Sequence, residues 1–485
     1  MAKKISLMFL LLASVISSLT AQSSQVLYFM NLPQKNTLNP ALQPSGRVYI
    51  GLPVISDISV RLDNNFLGLS DLFAGGVISD STFTFLEPGA GLDGFLAGLN
   101  EKNSIEPHVG IQLFGLAFTV AKNLRITFDI NERIDGNFVL PEDLIRLGVQ
   151  GNENYMSRNI DLSALRSDLS YYHETGIGAS KNITDKLRVG ARLMFLSGVA
   201  SSYLDNNGLN LTVNEDYTQT VTSDVTMRMS APVSFYKDQD GIIDSAVIDE
   251  NRLEGANNII SYLTGKGNFG LGIEIGAEYR FNEMFAVSAA LTDMGYIKWK
   301  RDRTDLSLNT TFELNGLTMQ DVYDESLTFD ELMNWTLDSV QNSLTLSETP
   351  PALTTFLPFG VTAGFSFSPV KWFTAGALSQ TRFKGTQVHE SFTLSGNINL
   401  GNTLSTTLAY TIANHRFDNL GFGLAVRGGF CQFYALVDNI PFQWTKMTSG
   451  GKNFSLPENM YTIHARLGLN LVFGNREKEK ILPPM

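Results

Sequence analysis

Five histidines, His108, His173, His389, His415 and His464, are the side chains of this 485-residue sequence best suited to acid–base or metal chemistry at neutral pH. None falls in an H-E-x-x-H or comparable ligand spacing. His173-Glu174 and His389-Glu390 are adjacent pairs. On a strand, neighbours point to opposite faces, so neither pair can share a metal ion. The sequence has no G-x-S-x-G elbow, no P-loop and no dinucleotide fingerprint ahead of a helix. His464, two residues before Arg466, is the best candidate base for a hydrolase triad, but no feature ties it to a serine. The expectation is a chain that is not an enzyme, with no cofactor and no metal. Cys431 is the only thiol, which excludes an internal disulfide.

The remaining chemistry lies in charges that alternate with apolar residues. Glu174, Arg188, Arg192, Glu274, Glu278, Arg280, Arg427, His464 and Arg466 each occupy the polar phase of such an alternation. Around them, Leu187, Val189, Ala191, Leu193 and Phe195 oppose Arg188, Gly190 and Arg192, and Leu271, Ile273, Ile275, Ala277 and Tyr279 oppose Gly272, Glu274, Gly276 and Glu278. Tyr461 to Phe473 sustains the pattern for 13 residues, against about 5–6 for a soluble strand and about 9–11 for a barrel strand that spans a bilayer. A period of two with one apolar and one wet face is a β-strand. In a membrane barrel the apolar face meets lipid, and the glycines and charges line the lumen. The turn at Lys181–Lys186 sets Glu174 near Arg192 across the hairpin, where a lumenal ion pair is expected.

Composition agrees. Charged residues are 17%, with 42 Gly, 32 Phe and a formal net charge of −12. Mean hydropathy is +0.00, too low for a polytopic helical protein but suited to alternating strands. Disorder, a disulfide scaffold and nucleic-acid binding are excluded. Lys3 and Lys4, the apolar run Ile5 to Ile16 and Ala21-Gln22 read as a signal peptide over 1–21, which exports the chain. No later stretch supplies eighteen consecutive apolar residues, so no transmembrane helix is expected.

Six short turns alternate with long connections near 136–165, 203–265, 300–356 and 441–459, the outer-membrane pattern. Six hairpins, the final strand and a first strand in Arg47–Leu62 give an all-β, antiparallel, up-and-down transmembrane barrel of about fourteen strands, within a range of 12–16. Sixteen would require Asn210–Ser230 to be a further spanning pair rather than an outside hairpin. The expected organisation is an N-terminal periplasmic or plug segment over 22–46, a barrel over 47–474 and a periplasmic tail over 475–485. Short loop helices are expected at Pro141–Leu147, Asp249–Thr264 and Thr328–Leu344. Tyr296, Trp299, Trp372, Tyr410, Tyr434, Trp444 and Tyr461 are expected in the interfacial girdles. One strand breaks the rule: Phe114, Leu116 and Phe118 fall where a lumen face should be polar, which implies an apolar ligand or a plug packed against them.

Several segments carry a resemblance. They are Asn39-Pro40-Ala41, Tyr49-Ile50-Gly51-Leu52-Pro53, Tyr172-His173-Glu174, Asp185-Lys186-Leu187-Arg188-Val189-Gly190, Leu291-Thr292-Asp293-Met294-Gly295-Tyr296 and Gly468-Leu469-Asn470-Leu471-Val472-Phe473-Gly474. Together they resemble an uncharacterised Bacteroidota outer-membrane barrel family, a domain of unknown function, over essentially the whole mature chain. The Asn-Pro-Ala element and the barrel size are more loosely similar to FadL-type channels for hydrophobic compounds and to PorV-type secretion-associated barrels. The resemblance implies a fourteen-stranded barrel in the outer membrane of a Gram-negative cell. It implies no activity, and it carries over no site residue. Three functions stay open: passive transport of a small solute, hydrophobic if the FadL-type likeness holds, through a partly plugged lumen; a non-transporting scaffold that serves secretion, gliding or surface assembly; and a soluble secreted two-sheet protein. The expected partners are outer-membrane lipid and either a small hydrophobic ligand or secretion or surface-assembly proteins, with no nucleic acid.

Overall fold

The structure is a computed structural model. It describes residues 25–44, 46–68, 92–120, 124–216, 218–237, 243–248, 264–314, 344–347, 350–385, 387–413, 416–440, 444–449, 452–457 and 461–474, with residues 254 and 261. The expected signal peptide, the tail and most of both later loop helices lie outside the described residues.

The chain closes into an antiparallel barrel of fourteen staves. The first stave is broken into Val48–Gly51 and Ile58–Asn64. Both pieces pair with Lys102–Thr119 on one edge and with the last strand, Thr462–Phe473, on the other, which closes the barrel. The staves between are Leu124–Pro141, Arg166–Asn182, Leu187–Val213, Phe269–Arg280, Phe285–Trp299, Phe359–Val370, Phe373–Lys384, Gln387–Leu400, Leu404–Ala413, Arg416–Gly428 and Cys431–Ile440. Each pairs with its sequence neighbour in the barrel, as an up-and-down topology requires.

The burial pattern is inverted relative to a soluble protein. On Leu187–Val213, Arg188 and Arg192 are buried whereas Leu193 is 53% exposed. Ile273, Phe365, Leu394, Leu408, Phe422 and Leu467 are likewise exposed around the circumference. An apolar belt of this extent is stable against lipid and would aggregate in water.

The question of fourteen or sixteen strands is settled by Leu187–Val213, a single strand of 27 residues. Its first part pairs with Phe269–Arg280 inside the barrel. Its second part pairs with Gln219–Ser230, which pairs with Arg303–Leu314 and so extends the wall beyond the barrel at the end bearing the long connections. The 210–230 region is therefore an outside hairpin. A helix, Glu142–Gln150, follows Pro141 with acids in its first turn and runs three residues past the expected Leu147. Its Leu144 and Leu147 cover a small cluster of Tyr155, Ile160, Leu211 and Val221.

Two expected girdle aromatics point inward instead. Trp299 is fully buried beside Gly198 and donates its indole N–H to Thr355 at 2.9 Å. Tyr434 is fully buried and donates to Asp57 Oδ1 at 2.7 Å. Each sits on the inward phase of its strand, and a polar partner inside outweighs the preference of these rings for the interface.

Candidate functional site

The lumen is occupied at the short-turn end by the chain's own N-terminal segment. Helix Gln25–Phe29 and the 3-10 turn Pro33–Thr37 lie inside the barrel, and Val26, Leu27, Tyr28, Met30 and Leu32 have no exposed surface. The segment packs on small or apolar inward residues: Val26, Leu27 and Met30 on Ala409, Ala425 and Leu436, and Phe29 and Leu42 on Ala286 and Leu378. Hydrogen bonds tie it around the circumference. Val26 N–H donates to Asp438 at 3.1 Å, Tyr28 bonds Ser288 at 2.7 Å, Gln34 donates to Asn470 at 2.8 Å, and Gln43 reaches Ser180.

Wall glycines make the seat. A Cβ at Gly190 would lie 2.4 Å from the Pro40 carbonyl, and one at Gly276 only 2.0 Å from Asn39 Oδ1. One at Gly423 would lie 2.5 Å from Val26 Cγ1. These are the glycines that alternate with charge in the sequence, and their missing side chains are the space the segment fills. Lys35, also fully buried, is the segment's one interior cation among the described residues. Burial pushes its ammonium down to about 7, with the Glu278 carboxylate opposing the shift.

The expected lumen charges converge in part. Arg192 is the hub: it contacts Asp129, donates to Glu174 at 2.5 Å and meets Glu274 at 3.2 Å. Arg192 stands opposite Gly178 and its long side chain reaches Glu174 along the sheet, so the ion pair expected across that hairpin is present. Arg133 adds a contact to Glu174 at 3.4 Å. Arg188 and Arg280 both donate to Glu278, each at 2.7 Å. Arg466 holds Asp57 through both carboxylate oxygens, and His464 Nδ1 lies 2.8 Å from Asp438. Arg427 stands apart at the rim and donates to the Val472 carbonyl at 2.8 Å. Asp57, Asp129 and Arg133 were missed as site residues. Asp129 alternates with the apolar Phe128 and Ile130 in phase with the inward Arg125 and Thr127, whereas Asp57 sits in the break of the first stave, where alternation gives no signal.

The apolar lumen patch is overturned. Leu116 pairs with Phe128 and Phe118 with Ile126, both on the outward phase, while Ala117 pairs with the inward Thr127. Phe114 packs its ring on Phe128 at 6.0 Å, also outside. The register shifts between Gln112 and Phe114. That one-residue bulge turns the strand over, so His108 and Gln112 face in before it and Gly115 and Ala117 after it. Phe114, Leu116 and Phe118 face lipid, and the lumen there is polar.

Beyond the N-terminal segment, toward the long connections, the lumen holds a cavity of about 120 Å³. Pro33–Leu38 forms one side, and Asp57, Arg133, Asp293, Gln380 and Arg382 line the wall. A smaller cavity of about 20 Å³ lies further out, beside Glu106, Asp135 and Lys384. Arg61, Arg382 and His389 border both and form the neck between them. Among the described residues no group of three His, Cys, Asp or Glu is placed to hold a metal ion.

A third hollow, of about 800 Å³, opens on the lipid face and is lined by Leu193, Phe195, Leu271, Ile273, Tyr296 and Phe356, among others. It marks an interruption in the wall. Phe285–Trp299 pairs with Phe359–Val370 as far as Thr292 and with Leu353–Phe356 from Tyr296 onward. Asp293 between them takes a left-handed φ of 55°.

Solved structures similar to this chain include a Pseudomonas aeruginosa FadL homologue (9% identity, 94% of this chain and 100% of that one, TM-score 0.43). They also include the Ralstonia pickettii toluene transporter TbuX (11%, 92% and 95%, TM-score 0.41) and the Pseudomonas putida toluene transporter TodX (9%, 94% and 98%, TM-score 0.40). Nothing about activity follows from likenesses of this size. No curated protein matches the chain. A family model does, over residues 40–438, which span every stave from the first to Cys431–Ile440, and the chain therefore belongs to the family of unknown function DUF5723.

Proposed function

We propose that this protein is an outer-membrane barrel that passes a small solute through its lumen, past an N-terminal segment that keeps the resting pore shut. The observation that carries this reading is the polar cavity beside the segment. A barrel serving only as a scaffold gains nothing from an internal space lined by charged groups, which costs desolvation without contributing packing. The segment is held by side-chain packing and hydrogen bonds on glycine seats, contacts that can release and re-form. A second reading, an apolar solute that leaves sideways into the bilayer, draws support from the lipid-facing hollow at the interruption near Asp293.

The test is solute flux into proteoliposomes containing the full chain, with Cys431→Ser as background and a cysteine pair at Val26 and Gly421, where a Cβ on the glycine would lie 2.6 Å from Val26 Cγ2. Flux that stops on oxidation and returns on reduction supports release of the segment. Equal flux in both states contradicts it. Absence of flux in either state, with the barrel folded, would replace the transport reading with the scaffold.

A further inference from the structure

The inward face of Phe373–Lys384 and Gln387–Leu400 carries buried polar groups that the described residues leave unsatisfied. Gln380 is 7% exposed and His389 4% exposed. Among the described residues, neither polar side-chain atom of Gln380 and neither ring nitrogen of His389 has a hydrogen-bond partner. Burial of such groups without partners is costly, so a set of them around a cavity marks a place built for something else to bind. Arg382 stands directly opposite His389 in the sheet and two residues from Gln380, so all three share one face. Its nearest carboxylate, Asp293, lies 3.8 Å away, beyond hydrogen-bond reach.

The surrounding acids make their hydrogen bonds elsewhere, although the second oxygen of Glu106 lies 3.9 Å from His389 Nε2, beyond hydrogen-bond reach. Glu106 holds Lys384 at 2.9 Å, Asp63 holds Arg61 at 2.8 Å and Asp135 holds His108 at 2.6 Å. The neck offers a guanidinium fork and an imidazole, and the adjoining wall of the larger cavity adds an amide, a donor-rich set that fits a planar or tetrahedral oxyanion. An apolar solute finds no complement here, and a cation would meet Arg382 and Arg61.

We propose that Arg382, His389 and Gln380 form a binding site for a small oxyanion at the neck between the two lumen cavities, and that the transported solute carries a carboxylate or phosphate group. The substrate part rests on the transport reading above, whereas the site itself does not.

The experiment titrates full-length, detergent-solubilised protein at constant ionic strength with inorganic phosphate, with succinate and with choline as the cationic control, and reads heat of binding. The same solutes are then followed into proteoliposomes. Saturable binding of phosphate or succinate but not choline is expected, and whichever anion binds tighter names the group. R382M should weaken that binding roughly tenfold or more, with R382K intermediate and R427M at the rim unchanged. Heat-modifiable gel mobility verifies that each variant is folded, and the wild-type titration alone remains decisive if R382M is not. Anions that bind no better than choline, or a folded R382M that binds like wild type, overturn the site. Flux without anion preference refutes the substrate part; flux without anion binding refutes the site and spares the transport reading. Anion binding through Arg382 without flux does the reverse.

Discussion

The two ends of the lumen use the same kinds of inward residue to opposite effect. At the short-turn end, glycines, alanines and serines give up volume, the N-terminal segment fills it, and Arg188 and Arg192 are shared among Glu278, Asp129, Glu174 and Glu274. Toward the long connections, cavities open between charged walls, and Gln380 and His389 keep polar atoms without hydrogen-bond partners among the described residues. The difference teaches that a buried charge in this barrel braces one strand against another, faces space or, as Asp57 and Arg133 do, serves both uses. The first kind resists change, and the second is where a solute can act.

Five substitutions, one of them a silent control, would break or sharpen that contrast. The largest effect is expected from Arg192→Met, which leaves three buried carboxylates without their shared cation. Removal of one partner from a buried network costs about 3–5 kcal/mol, so the folded gel band should convert to the unfolded one at distinctly lower temperature. Gly423→Leu comes next: its side chain would collide with Val26 and Met30. Overpacking of this kind costs about 1–3 kcal/mol, and here it should expel the segment, seen as new protease cleavage near residue 30 with the barrel intact. Gly428→Leu, with nothing within 4 Å of its Cβ, is the silent control.

Lys35 gives a pH signature. Its docked pKa of about 7 lies below its ordinary 10.5. The undocked segment therefore binds more protons between those values, and docking strengthens as pH rises through that window. From pH 7 to 9 the gain is on the order of 2 kcal/mol, following the ~1.4 kcal/mol per pH unit limit for one proton. Proteolysis of the segment should slow at pH 9 in wild type and be flat with pH in Lys35→Met. The smallest effect belongs to Tyr28→Phe, which removes the hydrogen bond to Ser288. A loss of about 1 kcal/mol is expected, measured as a small shift in the same proteolysis midpoint.

Much of the barrel is legible in the sequence because a membrane strand must alternate for its full length. Arg188, Arg192, Glu274 and Glu278 show their inward phase through Leu193, Phe195, Leu271 and Ile273 on the other. What alternation cannot show is a bulge: one extra residue near Leu113 exchanges the faces, and Phe114, Leu116 and Phe118 look inward until that shift is seen. Nor does it distinguish a glycine that lines water from one that seats a side chain, since both read as small and inward. The helix Gln25–Phe29 has five residues, too few for helical periodicity to register. Arg382 and Gln380 lie in phase with the fully buried, inward Leu378, so the polar phase of their strand is interrupted and alternation does not mark them as lumenal.

The central claim is that the N-terminal segment shuts the lumen. It is tested most directly by single-channel conductance in planar bilayers, comparing the full chain with a variant lacking residues 25–44, both verified as folded barrels by heat-modifiable mobility. The account predicts a mostly silent full chain and stable, larger conductance steps from the deletion. Silence from a folded deletion barrel, or the same conductance in both, would contradict it.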